Sequence, residues 1–436
     1  MVSINRRQFV KGAALTLAAA AGASALGGCA PKAPSPLPEK WNKETDVVIL
    51  GFGGAGAAAA LEATKAGSKV VILERMKTGG GSTVLCGGLV YMGGGTRVQK
   101  AAGFNDTLEG MEAYLTAAAG AGVDVEMVKL LCSHSLELFD WLVGLGVQFK
   151  DTFIDGKYAA VPTDDGLAYT GNETVAPYRN ITPPVPRGHH VQGPGETGNL
   201  LWPPIQKAVE ASGAEIMYET LADRLVVNSD GRVVGVVAKV QGDDEFIKAN
   251  KAVIVTSGGF AANKDMVMQH CPEFSALAGE RITGTPGDDG SGIRMGQGAG
   301  GDVRMMNGMF AYTAAYMFGE ALVKGVLVNS KGRRFIPEDS YGHYMGYAVQ
   351  TQSPLSYLIA DDSVWADLPE AIKGYLSTIA IQANSVAELA AAIGVNAEVL
   401  ESTMNTYNSL AANGEDPEWE KESKYVVPLE TAPFYA

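Results

Sequence analysis

DVVILGFGGAGAAAALEATKAGSKVVILER, residues 46–75, holds a whole nucleotide-binding βαβ unit in one stretch. Asp46–Leu50 is a short apolar run of the kind that forms a buried parallel strand. Gly51, Gly53 and Gly56 follow in G-x-G-x-x-G spacing, with Gly54 and Ala55 between them. The first glycine permits a tight turn, the second lets the backbone approach a pyrophosphate, and the third lets a helix pack on the strand. The helix N-terminus supplies the N–H donors. Ala57–Ala60 are small enough for close helix–sheet contact, and Val70–Leu73 reads as a second apolar strand. Glu74 ends that strand where an acid accepts from ribose hydroxyls, with Arg75 beside it. Strand, helix, strand and terminal acid in register indicate an adenine dinucleotide site, and the unit alone does not separate NAD from FAD.

Upstream, Ser3–Lys11 carries the pair Arg6-Arg7, and Gly12–Gly28 is an uncharged, Ala-rich run too short for a spanning helix. Residues 1–29 resemble a twin-arginine signal, an address read on proteins exported already folded, which predicts a place in the periplasm or on the outer face of the cytoplasmic membrane. Leu26-Gly27-Gly28-Cys29 resembles a lipoprotein cleavage box, which makes Cys29 a candidate lipid anchor. Residues 30–43 begin with a Pro-rich stretch that reads as an extended tether. About 390 residues then remain for folding, enough for two domains.

The chain carries 34 Lys and Arg against 48 Asp and Glu, a net charge of −14. Without Arg6, Arg7 and Lys11 the balance is 31 against 48, or −17. Nucleic acid is an unsuitable partner for such a surface, because phosphate binding needs clustered Lys and Arg. Cys86, Cys132 and Cys271 are scattered and read as buried thiols, with no disulfide framework and no C-x-x-C-H haem site.

A second glycine-dense stretch, Gly79–Gly81 with Ser82, Thr83, Gly87 and Gly88, directly follows the ribose-binding acid and is expected to lie against the cofactor. Asp124–Val147 has apolar residues at helical spacing and predicts two helical segments, with Phe139 and Trp141 in the core. Asn172–Gly195 is rich in Pro, Gly and Asn and reads as a long loop. It carries His189 and His190, which point apart in extended chain and have no further ligand at metal spacing, so no metal is expected. Pro203-Pro204 suit the start of a helix running to Ala211. Arg224–Val227, Arg232–Val240 and Glu245–Ala249 form a meander, and Ala252–Val255 reads as a separate buried strand. Gly258-Gly259 follow at its carboxyl end, where ligands bind in open α/β sheets. This order is the plan of a flavin-binding domain.

The fingerprint, Gly79–Lys100, Thr256–Phe260 and Val328–Tyr341 (VNSKGRRFIPEDSY) together resemble the fumarate reductase/succinate dehydrogenase flavoprotein superfamily, and within it the 3-oxosteroid dehydrogenases and reductases. The resemblance runs from about Asp46 to the last residue. It implies an α/β fold: a Rossmann-like FAD-binding domain with a β-meander (44–124 and 191–283), interrupted by an α+β substrate-capping domain (125–190 and 284–424). Fumarate-type members carry an arginine shortly after the segment matching Arg334–Glu338 and a histidine in a loop upstream. This chain has Asp339-Ser340-Tyr341-Gly342-His343 and no histidine in Asn307–Met317, which favours a neutral ketone over a dicarboxylate. The family pattern continues past the residues matching Pro428–Ala436 with a Gly-Arg stretch and, in the steroid branch, a Tyr-x-Ser pair. The resemblance therefore implies that 425–436 begin a return to the FAD domain that is cut short.

Redox chemistry at a C–C bond beside a carbonyl needs a hydride carrier, a proton-transfer group and donors to the carbonyl oxygen. Tyr341 stands where the resemblance places a catalytic tyrosine. A free phenol has a pKa of about 10 and needs help to act near neutrality, which His343 could give as a relay. Tyr91 is a further substrate-facing candidate. The bland alternative is that Arg333, Arg334, Glu338 and Tyr341 only close a hairpin turning at Asn329–Gly332. The leading expectation is an exported FAD-dependent oxidoreductase acting on a ketone, with a 3-oxosteroid as the candidate substrate. Its rivals are a respiratory enoate reductase fed by quinone or a periplasmic cytochrome, and a truncated, non-catalytic lipoprotein.

Overall fold

The structure is a computed structural model describing residues 37–158, 160–277, 282–313, 320–352 and 355–436. The twin-arginine segment, Cys29 and the first part of the tether lie outside the described residues.

In chain order the strands are β1 (Lys43–Leu50), β2 (Val70–Leu73), β3 (Leu89–Tyr91), β4 (Leu167–Ala168), β5 (Gly188–His190), β6 (Glu215–Met217), β7 (Thr220–Val227), β8 (Val233–Val240), β9 (Asp243–Val255), β10 (Val326–Asn329), β11 (Ser356–Asp361), β12 (Gln382–Ala383) and β13 (Phe434–Tyr435). The principal sheet has the order β6-β2-β1-β9-β8-β7. β1 lies at its centre, parallel to β2 with Val47 opposite Val70 and parallel to β9 with Leu50 opposite Val255. Its inner residues Val48, Ile49 and Leu50 are buried on both faces, as the apolar run requires. The helix Gly54–Lys65 crosses between β1 and β2.

Three expectations need correction. The third meander strand and the buried strand are one: β9 pairs antiparallel with β8 through its first half and parallel with β1 through the rest. A register shift between Thr45 and Val47 absorbs the polar pair Asn250-Lys251, which separates the two apolar runs in sequence. The helix expected to begin at Pro203 begins at Gly198, and both prolines sit inside it. Its first turn forms on the Thr197 carbonyl, and Leu201, Trp202, Ile205 and Val209 bury the face that outweighs the two missing donors. Finally, Asn172–Gly195 is not all loop, since β5 runs through it as the middle strand of a β3-β5-β4 sheet. His189 and His190 do point apart: His189 Nε2 meets Thr96 Oγ1 at 2.7 Å, while His190 Nε2 meets the Gly195 carbonyl at 3.0 Å.

Helices Val125–Ser133 and Ser135–Gly144 form as expected, and Phe139 and Trp141 pack in the core around Ile49, Phe52 and Trp202. A second core joins β10, β11 and the helices Val386–Ile393 and Ala397–Ala411. Residues 425–436 pack on this second core, where β13 lies between β11 and β12. Cys132 and Cys271 are buried thiols, and Cys86 is partly exposed. Among the described residues no helix is long and apolar enough to cross a membrane, and no three of His, Cys, Asp and Glu gather to hold a metal.

Candidate functional site

The carboxyl ends of β1, β2 and β9 open on a cavity of about 220 Å³. Of the residues that the sequence assigns to the cofactor, Gly51, Gly53, Gly54, Ala55, Glu74, Arg75, Gly81, Ser82, Thr83 and Gly258 line this one cavity. Gly51 holds φ +104°, and a β-carbon there would meet the Thr256 carbonyl at 2.8 Å, so conformation and close approach both require glycine. Glu74 is buried, and its two oxygens accept from the Phe52 N–H at 2.9 Å and the Met76 N–H at 2.8 Å. Each oxygen keeps lone-pair capacity for a ribose hydroxyl. Gly53 has only backbone and the Thr83 hydroxyl near it, Thr83 Oγ1 accepts the Gly54 N–H at 2.9 Å, and the turn with the carboxylate across from it fits a dinucleotide.

Other predicted residues do different work. Gly56 does not line the cavity; a β-carbon there would stand 2.0 Å from the Gly51 carbonyl, so it sets helix–strand contact. Gly87 and Gly88 also stand away from the cavity: a β-carbon on Gly88 would strike Thr197, so this pair packs the start of the helix Gly198–Ala211. The Arg75 guanidinium is held by Asp289 at 3.0 Å and the Gly287 carbonyl. Burial opposes it, yet Arg75 and Ser291 hold the Asp289 carboxyl down at about 2.

Gly259 faces a second cavity of about 590 Å³, walled by Phe260, Phe274, Met309, Phe310 and Tyr312. Ser82 and Asp288 line both spaces, and the Ser82 hydroxyl donates to Asp288 Oδ2 at 2.7 Å on the partition between them. Tyr341 is the N-cap of helix Gly342–Thr351, its ring edge-on to Tyr312 at 6.1 Å. Its backbone N–H donates to Asn172 Oδ1 at 2.6 Å. Burial and nearby Glu173 push its phenol up to about 12. The His343 ring stacks on Phe310 with centroids 4.7 Å apart, and its Nδ1 faces the Ala311 backbone at 3.2 Å. Burial pushes its imidazole pKa down.

Sequence reasoning missed the residues around Tyr341. Asn172 and Glu173 are buried, and the Tyr91 hydroxyl donates to Glu173 Oε1 at 2.9 Å. Tyr114, on helix Leu108–Ala118, accepts the Asn172 N–H at 2.6 Å and stacks on Tyr91. Beside Tyr91, which the sequence singles out, a lone acid in a Pro- and Gly-rich stretch is the signal for this cluster. Two further arginines are buried. Arg187 forms a two-pronged pair with Asp106, and Arg334 pairs with Glu338 and Asp416.

Residues 46–436 match the family model described as FAD binding domain. The chain is 32% identical over 438 residues to the 3-oxo-5-alpha-steroid 4-dehydrogenase of Comamonas testosteroni, covering 87% of this chain and 81% of that one. It is 28% identical over 385 residues to the fumarate reductase (cytochrome) of Shewanella frigidimarina, covering 86% of this chain and 62% of that one. The crystal structure of 3-ketosteroid-delta4-(5alpha)-dehydrogenase from Rhodococcus jostii RHA1, solved with 4-androstene-3,17-dione, superposes with a TM-score of 0.83 at 34% identity, covering 92% of this chain and 84% of that one. A match across the whole fingerprint, meander and second core, joined to a cradle that fits the cofactor, makes this chain a member of the FAD binding domain family and an FAD-dependent oxidoreductase.

Proposed function

We propose that this chain adds or removes hydrogen across a C–C bond next to the ketone of a 3-oxosteroid, with Tyr341 moving the proton. One observation carries the choice of substrate. The charges of the buried arginines Arg187 and Arg334 are already matched by Asp106 and by Glu338 and Asp416, so although Arg187 Nη1 keeps an unpartnered N–H, neither offers a free charge to a dicarboxylate. The aromatic second cavity, whose wall residue Tyr312 packs edge-on to Tyr341, suits a large apolar molecule. The names of the Comamonas and Rhodococcus relatives support the same class.

When bound, FAD supplies the hydride acceptor or donor. Gly51–Ala55 and Glu74 would hold its adenosine half, and the Ser82–Asp288 pair separates that half from the substrate side. Tyr341 holds or delivers the proton at the carbon beside the one that exchanges hydride. The purified protein should be yellow and should turn over a 3-oxosteroid with an artificial electron carrier while leaving fumarate untouched. Turnover of fumarate alone would favour the enoate reductase reading, which kinship to the Shewanella enzyme supports, with quinol or a periplasmic cytochrome as donor. A folded, colourless protein would favour a non-catalytic one.

We also infer export by the twin-arginine route, with Cys29 as a lipid anchor, supported by Arg6-Arg7 ahead of a weakly hydrophobic run. Arg6→Lys with Arg7→Lys keeps the charge and loses the address. The double variant is expected to stay in the cytoplasm, and its appearance outside would contradict the route.

A further inference from the structure

One wall of the second cavity is residues 308–313, consecutive positions that lie outside helices and strands. Their side chains alternate as in extended chain. Met309 and Ala311 pack with Phe260, Met266 and Phe274. Phe310 and Tyr312 stack on each other with centroids 6.0 Å apart, and both rest on the helix Gly342–Thr351. Gly342 and Gly346, one turn apart on a single face of that helix, admit the segment. A β-carbon on Gly342 would stand 2.5 Å from the Tyr312 ring, and one on Gly346 would stand 2.7 Å from the Ala311 carbonyl oxygen.

His343 stands between these glycines in the chain and grips the segment twice. Its ring lies parallel to Phe310, with 2° between the planes and 4.7 Å between centroids. Its Nδ1 is 3.3 Å from the Ala311 nitrogen and 3.2 Å from the Ala311 carbonyl oxygen. Either neutral tautomer therefore bonds the segment, accepting from the N–H or donating to the carbonyl. Phe310 lines the cavity and is yet 58% exposed, so its ring stands at the mouth with one face on His343. An aromatic ring held flat at such a mouth can cover an apolar ligand and shield it from water.

We propose that Phe310 is the side chain that closes over substrate in the second cavity, and that His343 is a positioning residue holding it there through the ring stack and through Ala311. This rests on the reading of that cavity as the ketosteroid site. His343 then sets how firmly a large apolar substrate is held, and it acts on binding and release without moving a proton. The two glycines let the helix come close enough for one imidazole to make both contacts.

The flavin-loaded full chain tests this with two readouts: steady-state kinetics on a 3-oxosteroid, and stopped-flow release of the neutral fluorophore N-phenyl-1-naphthylamine. Phe310→Ala removes an exposed ring and is expected to raise KM and the release rate about tenfold, the worth of one aromatic contact, with a smaller change in kcat. His343→Ala, which suits the helix, should give the same pair of changes. The double variant should be no worse than either single one, because both act on one contact. A part for His343 in the chemistry predicts the opposite split, a fall in kcat at unchanged KM and release, and that result overturns the proposal. So does a KM or release rate left at the wild-type value in Phe310→Ala, or a double variant in which the two losses add. Should His343→Ala not fold, His343→Phe decides, since it keeps a ring on Phe310 and loses the bond to Ala311. Release faster than wild type then supports the clasp, and an unchanged rate overturns it. If no 3-oxosteroid is turned over, the substrate reading falls while the release rates alone decide this one in the same way, and a wild type that does not take up the fluorophore overturns it.

Discussion

Glu74 performs two tasks with one carboxylate. It closes the loop by accepting from Phe52 and Met76, and it faces the cavity where ribose hydroxyls belong. Glu74→Ala is therefore expected to weaken FAD binding by about 1.5–3 kcal/mol, the worth of a charge-assisted hydrogen bond. It should also lower the stability of the flavin-free protein, since the Phe52 N–H is left without its acceptor in a buried setting. Fluorescence titration and a thermal melt of the flavin-free protein separate the two, and unchanged FAD affinity would remove Glu74 from the site. Tyr341→Phe deletes one hydroxyl and little volume. It should leave bound flavin in place and cut turnover by about 10²–10⁴, the usual cost of losing a positioned proton-transfer group. Wild-type turnover would reduce Tyr341 to a helix cap, and lost flavin would give it a structural role.

Among the elements, β1, β2 and the helix between them were legible because one short segment carries every signal: apolar strands, glycine spacing and a terminal acid. Gly51 and Glu74 could be placed from such local pattern. Asn172 and Glu173 could not, since what makes them notable is burial against Tyr91, Tyr114 and Tyr341, residues remote in sequence. β5 was hidden for a related reason. Its short pairing with β3 and β4 depends on tertiary burial, and the prolines before it read as loop. That strand carries a testable consequence. His189 is fully buried, its Nε2 on Thr96 and its Nδ1 on the Arg187 carbonyl, and burial pushes its pKa down to about 4. Unfolded histidine titrates near about 6.5. Between these values the unfolded chain binds the extra proton, so this contribution is complete above the upper value and is lost as pH falls towards the lower one. The loss amounts to about 3 kcal/mol at most. Urea midpoints measured across this window should fall more steeply in the wild type than in His189→Gln, and parallel curves would mean that His189 is not buried neutral.

At the scale of the whole molecule, the nucleotide cavity and the second core are stabilised by different means. The principal sheet is closed by apolar packing around Ile49 and Ile72. The second core has an ionic group inside it. Arg334, after the Asn329–Gly332 turn, bridges Glu338 and Asp416, with Lys421 3.3 Å from Glu338 Oε2. Burial works against ionisation there, yet Lys421 and Arg334 hold the Glu338 carboxyl below its usual range. These residues thus do more than close a hairpin, because they tie the turn to the chain that follows helix Ala397–Ala411. Removing one partner of a buried pair leaves charges uncompensated and typically costs about 3–5 kcal/mol. Against a domain stability of roughly 5–15 kcal/mol that is a large fraction. Arg334→Met, which keeps apolar bulk over Tyr407, is therefore expected to unfold the second core at much lower urea. The first cavity shares no residue with this cluster, so FAD affinity in dilute buffer should stay at the wild-type value. Urea melts followed by far-ultraviolet dichroism and by flavin fluorescence should then separate in the variant. Coincident curves shifted together would show that the two cores unfold as one unit, and an unshifted curve would show that the ionic group contributes nothing to stability.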